Sequence, residues 1–109
     1  MGFRCKEKIS PERWKYLQSS NSADLKCFYN NVEYFGRMRY GSRNKALKAL
    51  KDVTGWVTTS QTVKCYLRGT YTDSSLTALK AWSMLFNEPL YLLLYRDYEA
   101  EARAKEGIG

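Results

Sequence analysis

The sequence predicts an all-α protein, a compact bundle of five to six short helices containing a helix-turn-helix. Three observations carry this. Apolar residues recur at three- and four-residue intervals along most of the chain, helix caps and stop signals are dense, and strand punctuation is sparse. With 109 residues, 44% of them apolar and 15% aromatic, residues 1–109 suit a single helical domain with one core.

Taken in order, Ser10-Pro11-Glu12 reads as an N-cap, a proline at the first helical position and an acid in the first turn. A short helix is expected to about Ser19, followed by a polar link, Ser19-Ser20-Asn21-Ser22. Ser22 or Asp24 can cap the next helix, whose buried face is Leu25, Phe28, Tyr29, Val32 and Phe35 and which should end near Tyr40-Gly41. Ser42 then caps a helix over Arg43–Val53 with Ala46, Leu47, Leu50 and Val53 inward and Lys45, Lys48 and Lys51 on another face. Gly55 suits the position just past its end. Thr58 or Thr59 caps Ser60–Arg68, where Val63, Tyr66 and Leu67 point inward and Gly69 is the stop. Asp73 or Ser74 caps a helix carrying Leu76, Leu79, Trp82, Ser83 and Phe86 on one face, broken at Asn87-Glu88-Pro89. Leu90 to about Lys105 forms a last helix, although Leu90–Tyr95 alone also fits a strand.

Several function classes have little to stand on. No apolar run approaches the roughly 18 residues of a membrane span. The charges at Arg4, Lys6, Glu7 and Lys8 lead into no apolar stretch, so a secretory signal is not expected. Cys5, Cys27 and Cys65 are odd in number and widely spaced, and histidine is absent, which disfavours a disulfide framework, a metal site or a cofactor. A reducing cytoplasm is the simple expectation. No Gly-x-Ser-x-Gly elbow or glycine-rich phosphate loop occurs, and Glu99 and Glu101 fall in a mixed-charge segment suited to a solvated helix. Neither enzymatic activity nor a small-molecule substrate is expected.

The charge is unevenly placed. Arg37, Arg39, Arg43, Lys45, Lys48, Lys51, Lys64 and Arg68 are opposed within their own stretch only by Asp52, and that stretch accounts for the whole net charge of +7. Such a concentration suits a polyanion, because each neutralised phosphate releases counterions; it also suits a merely solubilising face. Within it, two short helices separated by a turn at Gly55 have the make-up of a helix-turn-helix. The second begins Thr58-Thr59-Ser60-Gln61-Thr62, small polar side chains of the kind that meet base edges in a major groove. Thr59, Ser60, Gln61 and Lys64 are the candidate base contacts. Arg43, Asn44, Lys45, Lys48, Thr62, Arg68 and Tyr71 are the candidate phosphate contacts. Several have an ordinary alternative: Gln61 as an exposed glutamine after a cap, one of Thr58, Thr59 and Ser60 as the cap itself, and Lys45, Lys48 and Lys51 as a solvated face.

From Ser60-Gln61-Thr62-Val63 through Leu67-Arg68-Gly69, then Ser75-Leu76, Leu79, Trp82, Ser83, Phe86, Pro89-Leu90 and Leu93-Leu94, the chain resembles the lambda-repressor-like (Cro-like) helix-turn-helix domain. The resemblance covers about residues 35–94, leaving 1–34 as an N-terminal helical extension and 95–109 as a charged tail. It departs from the family in a longer turn between Gly55 and Val63, in Trp82 and Phe86 where smaller aliphatics are usual, and in Arg43-Asn44-Lys45 in place of a Thr-Gln opening. The resemblance implies a sequence-specific duplex-DNA-binding regulator of phage or mobile-element type, repressor-like, acting by occupancy. Pairing on two half-sites would be usual for such a domain, and Leu90–Tyr98 is the candidate homodimer surface, with burial in the monomer as its alternative. A protein-interaction module (an antitoxin or a phage inhibitor of a host factor) and an RNA or single-strand binder are the competing functions.

Overall fold

A computed structural model describes residues 10–108; Cys5 and the charges at Arg4, Lys6, Glu7 and Lys8 lie outside the described residues. It is all-α: α1 (Pro11–Phe35), a π-helical turn (Gly36–Tyr40), α2 (Arg43–Thr54), α3 (Ser60–Arg68), α4 (Leu76–Phe86), α5 (Leu90–Tyr95) and α6 (Tyr98–Ile108), with no strand among the described residues. The alternative of a strand at Leu90–Tyr95 is thereby removed.

The start of α1 follows its sequence signals, Ser10 Oγ accepting from the Arg13 amide at 3.2 Å with Pro11 behind it. The helix does not stop at Ser19, however. Serine and asparagine each cost only a few tenths of a kcal/mol in a helix interior, and no glycine or proline interrupts residues 12–35. Continuing through Ser19–Ser22 therefore costs less than making two new helix ends. The last three turns of α1 form the spine of the core: Leu25, Phe28, Tyr29, Val32 and Phe35 meet Leu50, Val63, Tyr66, Trp82, Phe86 and Leu93. α1 packs against α3 and α5, while α2 packs against α4 and the π-helical turn. Residues 11–19 are all exposed and stand clear of the bundle.

Aromatic packing sets much of the interior. Tyr29 stacks on Tyr66 with centroids 4.4 Å apart, and Phe35 contacts both Phe86 at 5.4 Å and Tyr98 at 4.9 Å. Burial pushes the Tyr29 phenol well above its ordinary pKa, so it stays neutral. Gly36 is buried because α2 passes close to it; a Cβ there would sit 3.3 Å from Ala46 Cβ.

Three expectations of detail change. Val53 and Leu76 are 66% and 57% exposed rather than inward, the buried faces of their helices being Ala46 with Leu50 and Ala78 with Ala81, Trp82 and Phe86. The α4 cap is Ser75, whose Oγ accepts from the Ala78 amide at 3.1 Å, one residue later than Ser74 and two later than Asp73. The last helix is two helices, broken at Arg96 with extended backbone (φ −107°, ψ 137°). Asn31, only 1% exposed, satisfies the groups this break frees. Its amide nitrogen donates to the carbonyls of Leu93 (2.8 Å) and Arg96 (2.6 Å), and its oxygen accepts from the Tyr98 amide (3.2 Å).

Two helix-ending glycines with left-handed backbone allow a clean comparison. Gly55 (φ +79°) has open space where a Cβ would stand, whereas at Gly69 (φ +81°) that atom would meet Lys26 Cε at 3.0 Å and Ser22 Oγ at 3.3 Å. Gly55→Ala should cost about 1 kcal/mol, the left-handed backbone term alone. Gly69→Ala should cost measurably more in parallel urea melts, and equal losses would show that Lys26 and Ser22 give way freely.

Candidate nucleic-acid interface

The geometry of α2 and α3 is set by their ends. Ser42 Oγ accepts from the Lys45 amide (3.2 Å) to start α2. At its far end Thr54 Oγ1 donates back to the Leu50 carbonyl (2.6 Å) and accepts from the Trp56 amide (3.1 Å), turning the chain past Gly55. Thr59 is the cap of α3, its Oγ1 accepting from the Thr62 amide at 3.2 Å. That side chain is thus a structural part as well as a candidate contact.

On α3, Val63, Cys65 and Tyr66 point inward. Gln61, Lys64 and Arg68 are exposed and follow one another at three- and four-residue steps, forming a single outward stripe. Asn44, Lys45, Lys48 and Lys51 are exposed on α2. Ser60 and Thr62 are half-buried, the Thr62 hydroxyl lying 3.1 Å from that of Thr59. Tyr71 is exposed beyond the end of α3, packed edge-on against Tyr66 at 5.2 Å.

Arg43 occupies a different setting. Its Nε donates to Glu33 Oε1 at 2.5 Å and its Nη1 to Ser60 Oγ at 2.9 Å. The hydrogen bond to Glu33 is the main cause that raises its pKa above the ordinary arginine value. One guanidinium therefore links the last turn of α1 to the first residues of α2 and α3. The N-termini of α2 and α3 lie side by side as a result, with two sets of free amides and two positive dipole ends in one region.

Ion pairing sorts the basic stretch further. Arg37 pairs with Glu99 (2.9 Å) and Arg39 with Glu88 (3.5 Å), as Arg43 does with Glu33. Arg39 also lies over the Phe35 ring at 4.3 Å and donates to the Phe86 carbonyl. The acids that neutralise these three arginines come from outside the stretch, which is why the linear sequence left them unopposed. Among the described residues no carboxylate lies within ion-pair distance of Lys45, Lys48, Lys51, Lys64 or Arg68. The unneutralised charge is therefore concentrated on α2 and α3.

Lys26 of α1 joins this set unannounced by the sequence. Its ammonium lies 3.5 Å from where a Cβ of Gly69 would be, at the C-terminal end of α3 beside Arg68. It was missed because it sits on a different helix, outside the basic run. The Glu33–Arg43 pair left no sequence signal either, since it depends on how α1 and α2 pack.

Of the segment Leu90–Tyr98, Leu93 is buried, Leu90, Leu94 and Tyr98 are half-buried against the core, and Leu92 is half-buried. Only Tyr91 (63% exposed) and Tyr95 (69%) offer large apolar surface outward. Among the described residues no helix is long and apolar enough to cross a membrane. No group of three or more potential metal ligands occurs there either. Comparison with protein-family models, curated proteins and solved structures finds no match, so the functional reading rests on the geometry of this site.

Proposed function

We propose that the chain is a sequence-reading, duplex-DNA-binding regulator in which α3 enters the major groove. The observation that carries this is the placement of five unneutralised cations, Lys45, Lys48, Lys51, Lys64 and Arg68, along α2 and α3, the second of which begins with the exposed polar side chains of Thr59 and Gln61. A single α-helix fits the B-DNA major groove, roughly 12 Å wide. Thr59 and Gln61 at its start, with Ser60 and Lys64 beside them, face bases, and Gln61 has the paired donor and acceptor that adenine N6 and N7 require. Asn44, Lys45, Lys48, Thr62, Arg68 and Tyr71 flank them as phosphate contacts that position the helix. Regulation then comes from occupancy of the site, as in a repressor. A homodimer reading two half-sites agrees with this, with Tyr91 and Tyr95 as the outward candidates at α5.

The test is selection from a random duplex library at near-physiological salt, followed by mobility shifts on the enriched duplex and a scrambled control. The expected result is a defined motif whose preference over the scrambled duplex falls about tenfold in Gln61→Ala, the size of one lost bidentate base contact. Equal weak binding to every duplex would overturn sequence reading. That outcome would favour a protein-interaction module, which the exposed Trp14, Tyr16 and Leu17 on the free end of α1 also suit.

A further inference from the structure

We infer that Arg43 is a positioning residue that sets the presentation of α3, and is not one of the phosphate contacts its place in the sequence suggests. The inference rests on the duplex-binding reading for its functional consequence and on the hydrogen bonds of Arg43 for its structural one.

A phosphate-binding arginine needs a free guanidinium edge. In Arg43, Nε is bonded to Glu33 at 2.5 Å and Nη1 to Ser60 Oγ at 2.9 Å, and the two side chains of the ion pair are only 22% and 21% exposed. Glu33 cancels the charge locally, so little attraction remains for a phosphate. What the planar fork does is geometric. It holds the first residue of α3 against the first residue of α2, and fixes both to the end of α1, through bonds whose directions a flexible ammonium does not reproduce.

The Ser60 hydroxyl is changed by this. Because its oxygen already accepts from Arg43, its own proton is left to meet an incoming acceptor. Gln61 follows directly on the same turn, so a shift of Ser60 is also a shift of Gln61. Loss of Arg43 should therefore relax sequence discrimination rather than weaken attraction to DNA in general. Loss of a phosphate contact such as Lys64 or Lys48 should do the reverse.

The experiment compares wild type, Arg43→Ala, Arg43→Lys, Glu33→Gln and Lys48→Ala by fluorescence anisotropy across a salt series. The probes are the selected duplex and a scrambled duplex of the same composition. In Lys48→Ala the slope of log K against log salt should shrink by about 0.9, with the selected-to-scrambled ratio unchanged. In Arg43→Ala the slope should be unchanged and the ratio should fall about tenfold. Arg43→Lys, which keeps the charge, should fail to restore the ratio. Glu33→Gln, which keeps the shape and disturbs the fold least, should lower it in the same direction.

A slope that shrinks in Arg43→Ala and recovers in Arg43→Lys would make Arg43 a phosphate contact and overturn the inference. A wild type that binds no duplex selectively would instead remove the duplex reading. In that case amide hydrogen exchange of the free protein still decides the structural claim. Faster exchange at Thr62 and Val63 in Glu33→Gln supports the clamp, and unchanged exchange there overturns it.

Discussion

Asn31→Leu should lower the unfolding free energy by about 3 kcal/mol, as expected when buried backbone groups lose their partners at roughly 1–3 kcal/mol each. The two side chains share the same branching and the same number of heavy atoms, so the loss is not that of a cavity. Three backbone groups bond to the Asn31 amide: the carbonyls of Leu93 and Arg96, the latter also accepting from Cys27 Sγ at 3.5 Å, and the N–H of Tyr98. Those groups are free because the chain breaks between α5 and α6, and α1 supplies what the break removes. Arg96 is exposed and can recover some hydration, whereas Leu93 is fully buried. Asn31→Asp should be no milder, since it places a carboxylate against two carbonyl oxygens in place of the donor. The exposed neighbour supplies the control: Asn30→Leu should stay within about 0.5 kcal/mol of wild type, the usual range for surface changes. Urea unfolding of the three variants checks this. A loss below about 0.5 kcal/mol in Asn31→Leu would mean that the α5–α6 junction is held by packing alone.

The second large effect concerns binding. Replacing Lys45, Lys48, Lys64 and Arg68 together by alanine should reduce the salt slope of duplex binding by about 3.6, at about 0.9 per neutralised phosphate. At moderate salt this corresponds to a loss of several orders of magnitude in affinity. The four side chains are exposed and, among the described residues, unpaired, so their removal should leave the unfolding midpoint nearly unchanged. Replacing Arg37 and Arg39 is the contrasting change. Both are tied to acids, Glu99 and Glu88, so their loss should affect stability more than the salt slope. If the two sets weakened binding equally per charge removed, net charge rather than the α2–α3 face would be responsible. Titrating each variant with a random-sequence duplex at several salt concentrations separates the cases.

How much could be read from sequence follows the range of the interactions involved. The ends of α2 and α3 were legible because cap chemistry is local: Ser42 and Thr59 accept from amides three residues on, and Gly55 and Gly69 take the left-handed backbone after the last turn. The core face Leu25, Phe28, Tyr29, Val32 and Phe35 was legible from its spacing. The continuity of α1 through Ser19–Ser22 was not, because four weak helix formers in a row have the make-up of a link, although each costs only a few tenths of a kcal/mol in a helix interior. The break at Arg96 was hidden for a different reason, range: the residue that stabilises it, Asn31, lies 65 positions away. In the candidate site, the exposed stripe Gln61, Lys64, Arg68 and the free lysines of α2 were visible as a pattern. The settings of Arg37, Arg39 and Arg43 were not, since each depends on a carboxylate brought in by another helix.

The most direct test of the account is a titration of ¹⁵N-labelled protein with a duplex enriched by selection, read residue by residue from amide chemical shifts. The account predicts shifts concentrated at Thr59 to Lys64, at Arg68 and at the start of α2 through Lys48, with α6 and the first turns of α1 unmoved. Shifts centred on Trp14 to Leu17 or on α6, or none at all above the response to a scrambled duplex, would contradict it.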